Sequence, residues 1–210
     1  MNKVLLVLSM LVLATGVSFA QRATGVSDYL TVPTATILPE GNLALAVNAT
    51  DTEVWGGDHN IGLVAEFALS NTLGVYVNSS LEDLDTDNLV GGVKWVVAPE
   101  DEESHGGQVA LFANNLGKNR DEIYGAALSV RATKSFSYTI AGIYNDDWEI
   151  GAGATLALNE NLNAQVEYNS ATEEIVYGVG LRYKALFGEV RYLDDTDEFV
   201  AMAGIQFDLF

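Results

Sequence analysis

The chain contains no cysteine. That excludes disulfides, thiolate metal sites, thiol nucleophiles and a lipidated N-terminal cysteine. Basic residues are scarce, with 10 Lys and Arg against 29 Asp and Glu and a formal net charge of -19. An acidic excess of this size repels phosphate backbones and excludes a nucleic-acid partner. Proline occurs only at Pro33, Pro39 and Pro99, and histidine only at His59 and His105. Beyond the N-terminus no stretch reaches 18 consecutive apolar residues, so no transmembrane helix is expected. Apolar and small residues are plentiful instead, 49% hydrophobic with 20 Gly in 210 residues. That is too apolar for a disordered acidic chain and long enough for one domain with a sizeable core.

The N-terminus addresses the chain to export. Met1-Asn2-Lys3 is a short positive start, residues 4–17 are an apolar run, and Ser18-Phe19-Ala20 offers small residues at the two positions a signal peptidase reads. This predicts a cleaved secretory signal over 1–20, used in Sec export, with the mature chain starting near Gln21. The run is shorter than the roughly 20 residues a spanning anchor needs. Residues 21–41 form an N-terminal segment, periplasmic or luminal, and 42–210 form the main domain.

From Asn42 onward apolar residues alternate with polar or small ones in segments of about 9–11 residues. Leu162, Ala164, Val166 and Tyr168 share one face, opposite Asn163, Gln165, Glu167 and Asn169. Twelve strands are predicted, near 42–49, 59–69, 72–81, 88–97, 107–115, 123–133, 135–145, 148–158, 162–170, 174–184, 185–193 and 198–210, with 10–14 compatible with the pattern. All three prolines fall outside them, as ladder hydrogen bonding requires.

The large rings sit at strand ends on the apolar faces. Phe67, Trp95, Phe136, Tyr138, Tyr183 and Phe207 mark one rim, and Tyr124, Tyr144, Trp148, Tyr168, Tyr177, Tyr192 and Phe199 the other. Aliphatic middles between two aromatic girdles are what a bilayer selects. The expected fold is therefore all-β, a closed antiparallel transmembrane β-barrel of about twelve strands with its apolar face outward. With both termini periplasmic, the even connections are mostly short and the odd ones (51–58, 82–88, 118–122, 194–197) longer and acidic, the bacterial outer-membrane pattern. The fourth connection, 98–106, is the exception: either a long periplasmic loop or a miscounted strand.

Two runs carry family resemblances. The end of the chain, with Gly204, Phe207, Leu209 and Phe210, resembles the C-terminal sorting signal of outer-membrane β-barrels, which implies recognition by the barrel assembly machinery. Phe199, Ala201, Ala203, Ile205, Phe207 and Leu209 alternate in one register, and Phe210 stands one step off it. The run Tyr29-Leu30-Thr31-Val32-Pro33-Thr34-Ala35, followed by Ile37-Leu38-Pro39-Glu40-Gly41, is similar to the opening of YjbH-type outer-membrane proteins. That resemblance implies an accessory role in exopolysaccharide export.

Catalytic and cofactor patterns are missing. Ser104-His105 lies in the acidic run Glu100-Asp101-Glu102-Glu103, without the third group that holds a catalytic base. Asp83-Leu84-Asp85-Thr86-Asp87 starts like a calcium loop, but Asn88 and Lys94 stand where an EF-hand needs Gly and Glu. Loose Ca²⁺ binding that bridges to lipopolysaccharide stays open. Gly151-Ala152-Gly153 and Gly178-Val179-Gly180 lack the third glycine of a phosphate loop and read as lumen-facing strand glycines. No cofactor, metal site or enzymatic activity is expected.

By alternation the lumen is lined by Glu66, Lys94, Arg131, Glu149, Glu167, Arg182, Glu189, Arg191 and Asp208. These charges either form an internal salt-bridge network, with Arg182, Glu189 and Arg191 opposite Glu167, or line a hydrated pore. Inward glycines (Gly62, Gly74, Gly92, Gly125, Gly151, Gly153, Gly178, Gly180) are expected to leave room for water. The expected function is a small barrel of the cell outer membrane, in contact with lipid and lipopolysaccharide, acting as a structural envelope protein or a narrow channel. A secreted soluble β-barrel holding an apolar ligand is the alternative. Strand number and charge leave the oligomeric state undetermined.

Overall fold

Strands with two unlike faces need turns that start and stop them, and several turns here carry their own closing device. Ser70 Oγ accepts the amides of Thr72 and Leu73 at 3.2 and 3.1 Å. Thr133 Oγ1 does the same for Ser135 and Phe136, and Asn159 Oδ1 for Asn161 and Leu162. Each side chain replaces backbone partners at the bend, so the reversal leaves few amides unpaired. Lys184 and Asp146, with φ of 54° and 61°, occupy the left-handed region in two tight hairpins.

The computed structural model describes residues 32–51, 59–80, 89–99, 107–116 and 122–209. The signal segment, Tyr29 to Thr31 of the YjbH-like run, the acidic loops at 52–58 and 82–88, Ser104-His105 and Phe210 lie outside the described residues. Twelve strands are present: β1 (Asn42–Asp51), β2 (His59–Ser70), β3 (Leu73–Ser80), β4 (Val90–Ala98), β5 (Gly107–Leu116), β6 (Ile123–Arg131), β7 (Phe136–Asn145), β8 (Asp147–Ala157), β9 (Leu162–Asn169), β10 (Glu174–Tyr183), β11 (Leu186–Leu193) and β12 (Glu198–Asp208). Every predicted strand is there. β4 and β5, on either side of the long fourth connection, pair directly with each other, and the count of twelve stands.

Each strand pairs antiparallel with the next, and β1 closes on β12 to complete the barrel. The seam runs from Asn42 opposite Asp208 to Asp51 opposite Phe199. Closure leaves no free sheet edge, which a bilayer would not tolerate. The described residues contain no helix.

The polarity of the wall is inverted relative to a soluble core. Leu63, Ile140, Val179, Leu181 and Val190 are exposed on the outside, while Glu66, Lys94, Glu149, Glu167 and Arg191 are buried inside. Water would penalise that arrangement on both faces; lipid outside and paired charge inside reverse both penalties. The girdles are also in place. Trp148, 76% exposed, packs its ring 5.5 Å from Tyr144 at one rim, and Tyr192 lies 5.1 Å from Phe199 in the β11–β12 hairpin. Phe136 and Tyr138 meet at the opposite rim.

Candidate functional site

The closed sheet encloses a lumen, and it is built as two unlike halves. On the β4–β7 side the inward positions are largely apolar, with Lys94, Asn114 and Thr139 the buried polar exceptions. Val96, Ala110, Phe112, Ile123, Ala127, Ala141 and Ile143 form one buried cluster, joined by Val32 and Ala35 from the N-terminal segment. Val32 and Ala35 have no exposed surface at all. Residues 32–38 therefore run inside the barrel as a strap.

The strap's course follows from its contacts. Gly41, at φ 75°, turns the chain out of β1; its N–H bonds to the Ala68 carbonyl, and its own carbonyl accepts from Leu209. Leu38 then packs with Ala44 and Ala68 and beside Phe187. The Thr36 carbonyl accepts a 2.8 Å hydrogen bond from Lys94 Nζ, and Gln108 Nε2 reaches Thr36 Oγ1. The Ala35 N–H donates to Ser129 Oγ at 2.9 Å, and Ser129 also bonds Thr139 Oγ1. Val32 lies against β8, over Gly151. Val32, Pro33, Thr34 and Ala35 are all buried, and Leu38 is buried again beyond the exposed Thr36. Burying side chains such as Val32 and Leu38 is worth roughly 1.5–3 kcal/mol each.

The expected room beside the inward glycines is largely taken. A β-carbon at Gly92 would meet the Tyr76 ring, one at Gly125 the Phe112 ring, and one at Gly204 the Phe187 ring. At Gly151 it would lie 2.9 Å from Val32, at Gly74 3.2 Å from Ile37, and at Gly180 2.7 Å from Asn163. These glycines are sockets for neighbouring side chains rather than space for water. The reason is geometric: on the concave face of a closed sheet a large residue fits only where the strand beside it is bare.

On the β9–β12 side the wall is polar and charged. Arg191 Nε and Nη2 bond the two oxygens of Glu189 at 2.6 and 2.9 Å. Its Nη1 reaches Glu167 Oε1 at 3.3 Å. Arg191 and Glu167 are 6% and 3% exposed. Gly178 on the intervening strand makes room, since a β-carbon there would stand 3.2 Å from the Arg191 stem. The planar guanidinium suits two carboxylates at once.

Arg182 does not join this group. It sits exposed at the end of β10, donates to Gln206 Oε1 at 2.8 Å and stacks over Phe187 at 5.8 Å. Gln206 in turn donates to Asn42 Oδ1, linking Arg182 to the seam. Arg131 and Asp208 are likewise exposed at strand ends. Glu66, Lys94 and Glu149 are buried on β2, β4 and β8. Of the sorting-signal residues, Phe207 and Leu209 face outward, while Gly204 faces inward beneath Phe187.

Alternation alone did not predict the strap, the apolar half-lumen or the aromatic sockets. A signal was available in β5–β7, where apolar residues occupy both faces and a purely polar lumen is therefore impossible. Among the described residues no group of three or more acidic or histidine side chains converges as a metal site.

No protein-family model and no curated protein matches the chain. The resemblance to YjbH-type proteins thus rests on residues 29–41 alone. Solved porin structures do share the fold. The structure described as "KdgM porin" matches with a TM-score of 0.53 at 12% identity, over 80% of this chain and 99% of that one. "KdgM porin in complex with disordered oligogalacturonate" matches over the same shares with a TM-score of 0.53 at 11% identity. At such identity the likeness is one of fold: a closed, porin-like antiparallel barrel.

Proposed function

We propose that this chain is a barrel of the bacterial outer membrane, exported by the Sec route and inserted by the barrel assembly machinery. In this reading it is a non-enzymatic envelope protein whose lumen is closed at rest. The observation that carries the membrane reading is the inverted wall, with exposed aliphatic residues such as Ile140 and Val179 outside and buried charge such as Arg191 inside. A soluble barrel holding an apolar ligand needs the opposite facing. The outward band is then the surface that meets lipid and lipopolysaccharide.

Closure is supported by the strap on one side of the lumen and the Arg191 triad on the other. A narrow channel is the second reading, favoured by Asn48 Oδ1 and Gln165 Oε1. Both are buried acceptors without a hydrogen-bond partner among the described residues, which a hydrated strip in the lumen would satisfy. A polyanionic sugar like the one named with the neighbouring porin suits this lumen poorly. Arg191 is engaged by Glu167 and Glu189, Lys94 by Thr36, and Arg182 by Gln206. The YjbH-like alternative, an accessory role in exopolysaccharide export, draws on the residues that form the strap.

Envelope fractionation with carbonate washing, followed by planar-bilayer recording of the refolded protein, tests the proposal. Retention in the washed envelope with rare, small openings is expected. Release into the periplasmic fraction would overturn the membrane reading, and a large steady conductance would overturn closure.

A further inference from the structure

We propose that residues 32–38 are a displaceable plug, docked in a site that the lumen wall is shaped to receive, and that their release opens a path along the β3–β8 side of the barrel. This rests on the membrane-barrel reading and adds the regulation of its lumen.

Three observations carry it. First, wall and strap are complementary at the level of single atoms. Gly151 and Gly74 lack side chains where Val32 and Ile37 sit, and an alanine at Gly151 would stand within 2.9 Å of Val32. Second, the strap takes no part in the sheet. β1 pairs with β12 and β2 through residues 42–51, so the barrel is closed without it. Third, the wall holds it through side chains, with Lys94 on the Thr36 carbonyl, Gln108 on Thr36 and Ser129 on the Ala35 amide, and no strand of the sheet pairs with it. Release therefore breaks no ladder hydrogen bond. Gly41, held by backbone bonds to Ala68 and Leu209, anchors the β1 end of the segment, so release concerns the residues before it and leaves the barrel seam intact.

A chain with no cysteine makes the test clean. The Ile37 β-carbon lies 3.5 Å from where a Gly74 β-carbon would be, which matches disulfide geometry. The double variant Ile37→Cys/Gly74→Cys should oxidise readily in the full, refolded chain and lock the strap in place. A second variant, Val32→Asp, places a carboxylate in the apolar half-lumen and should expel it. In planar bilayers, oxidation of the locked variant should abolish the openings of the wild type, and reduction should restore them. Val32→Asp should raise the mean current at least tenfold. Failure of the two cysteines to pair would overturn the proposal, as would currents that either oxidation or Val32→Asp leaves unchanged. Heat-modifiable gel mobility, read on every variant, separates the two claims. A wild type that shows no compact form and does not insert refutes the barrel, whereas inserted protein with unaltered currents refutes only the plug.

Discussion

Replacing Arg191 by Gln removes the cation that Glu167 and Glu189 share. The guanidinium is 6% exposed, and its bonds to Glu189 at 2.6 and 2.9 Å are short and bidentate. Breaking one buried pair costs about 3–5 kcal/mol, because an uncompensated charge stays behind. Two carboxylates would remain here, which places the expected loss toward the upper end of that range. The Glu167 contact is longer, at 3.3 Å, so Glu167→Gln should cost clearly less than Arg191→Gln, and Glu189→Gln should fall between them. Replacing all three by apolar residues of similar volume should recover most of the loss, since desolvation is removed together with attraction. Urea unfolding of the refolded protein in vesicles, followed by tryptophan fluorescence and heat-modifiable mobility, measures each difference. If Arg191→Gln stays within about 1 kcal/mol of wild type while ion selectivity changes, the triad is hydrated and lines a working channel.

Three further perturbations probe other parts of the structure. Val179, exposed on the outward face in mid-strand, should accept Leu but lose about 2–4 kcal/mol on Val179→Arg, measured by the same urea titration; equal stability of the two variants would put that face in water. Gly92→Val forces the Tyr76 ring from its socket and should cost about 1–3 kcal/mol, but much less when Tyr76→Ala is already present; additive costs in that double-mutant cycle would deny the socket. Deleting Phe207 to Phe210 removes the end of β12 that pairs Phe207 with Leu43 and weakens the closing seam, so the truncated protein should be degraded or accumulate in the periplasm; normal outer-membrane levels would contradict the sorting role of that end.

The barrel itself was legible because two different environments press on alternate residues. Leu162 to Asn169 shows this most plainly: its apolar residues all face out and its polar ones all face in. Ring placement at strand ends then separated a membrane barrel from a soluble one. Strand ends were legible to within two residues, because turn formers such as Ser70, Thr133 and Asn159 stand where the alternation stops. The interior was less legible. Residues 32–38 have neither a period-2 nor a helical pattern, so nothing local says that Val32 and Ala35 are wholly buried. The inward glycines looked like empty space because a sequence does not reveal which neighbour leans over them; Tyr76 over Gly92 and Phe112 over Gly125 depend on register across strands. Arg182 shares the facing of Arg191 but not its depth. It lies one residue from the end of β10, where Gln206 and Phe187 reach it before the Glu167 carboxylate can.

The facing of the wall is tested most directly by single-cysteine spin labels on vesicle-reconstituted protein, which the cysteine-free chain permits without background. Labels at Ile140, Val179 and Val190 should be accessible to oxygen dissolved in the lipid and shielded from a water-soluble nickel chelate. Labels at Thr139 and Gln165, one step along or on the neighbouring strand, should be shielded from lipid oxygen. Accessibility to the aqueous chelate at Ile140, Val179 and Val190, in protein that stays soluble without detergent, would contradict a membrane-spanning barrel.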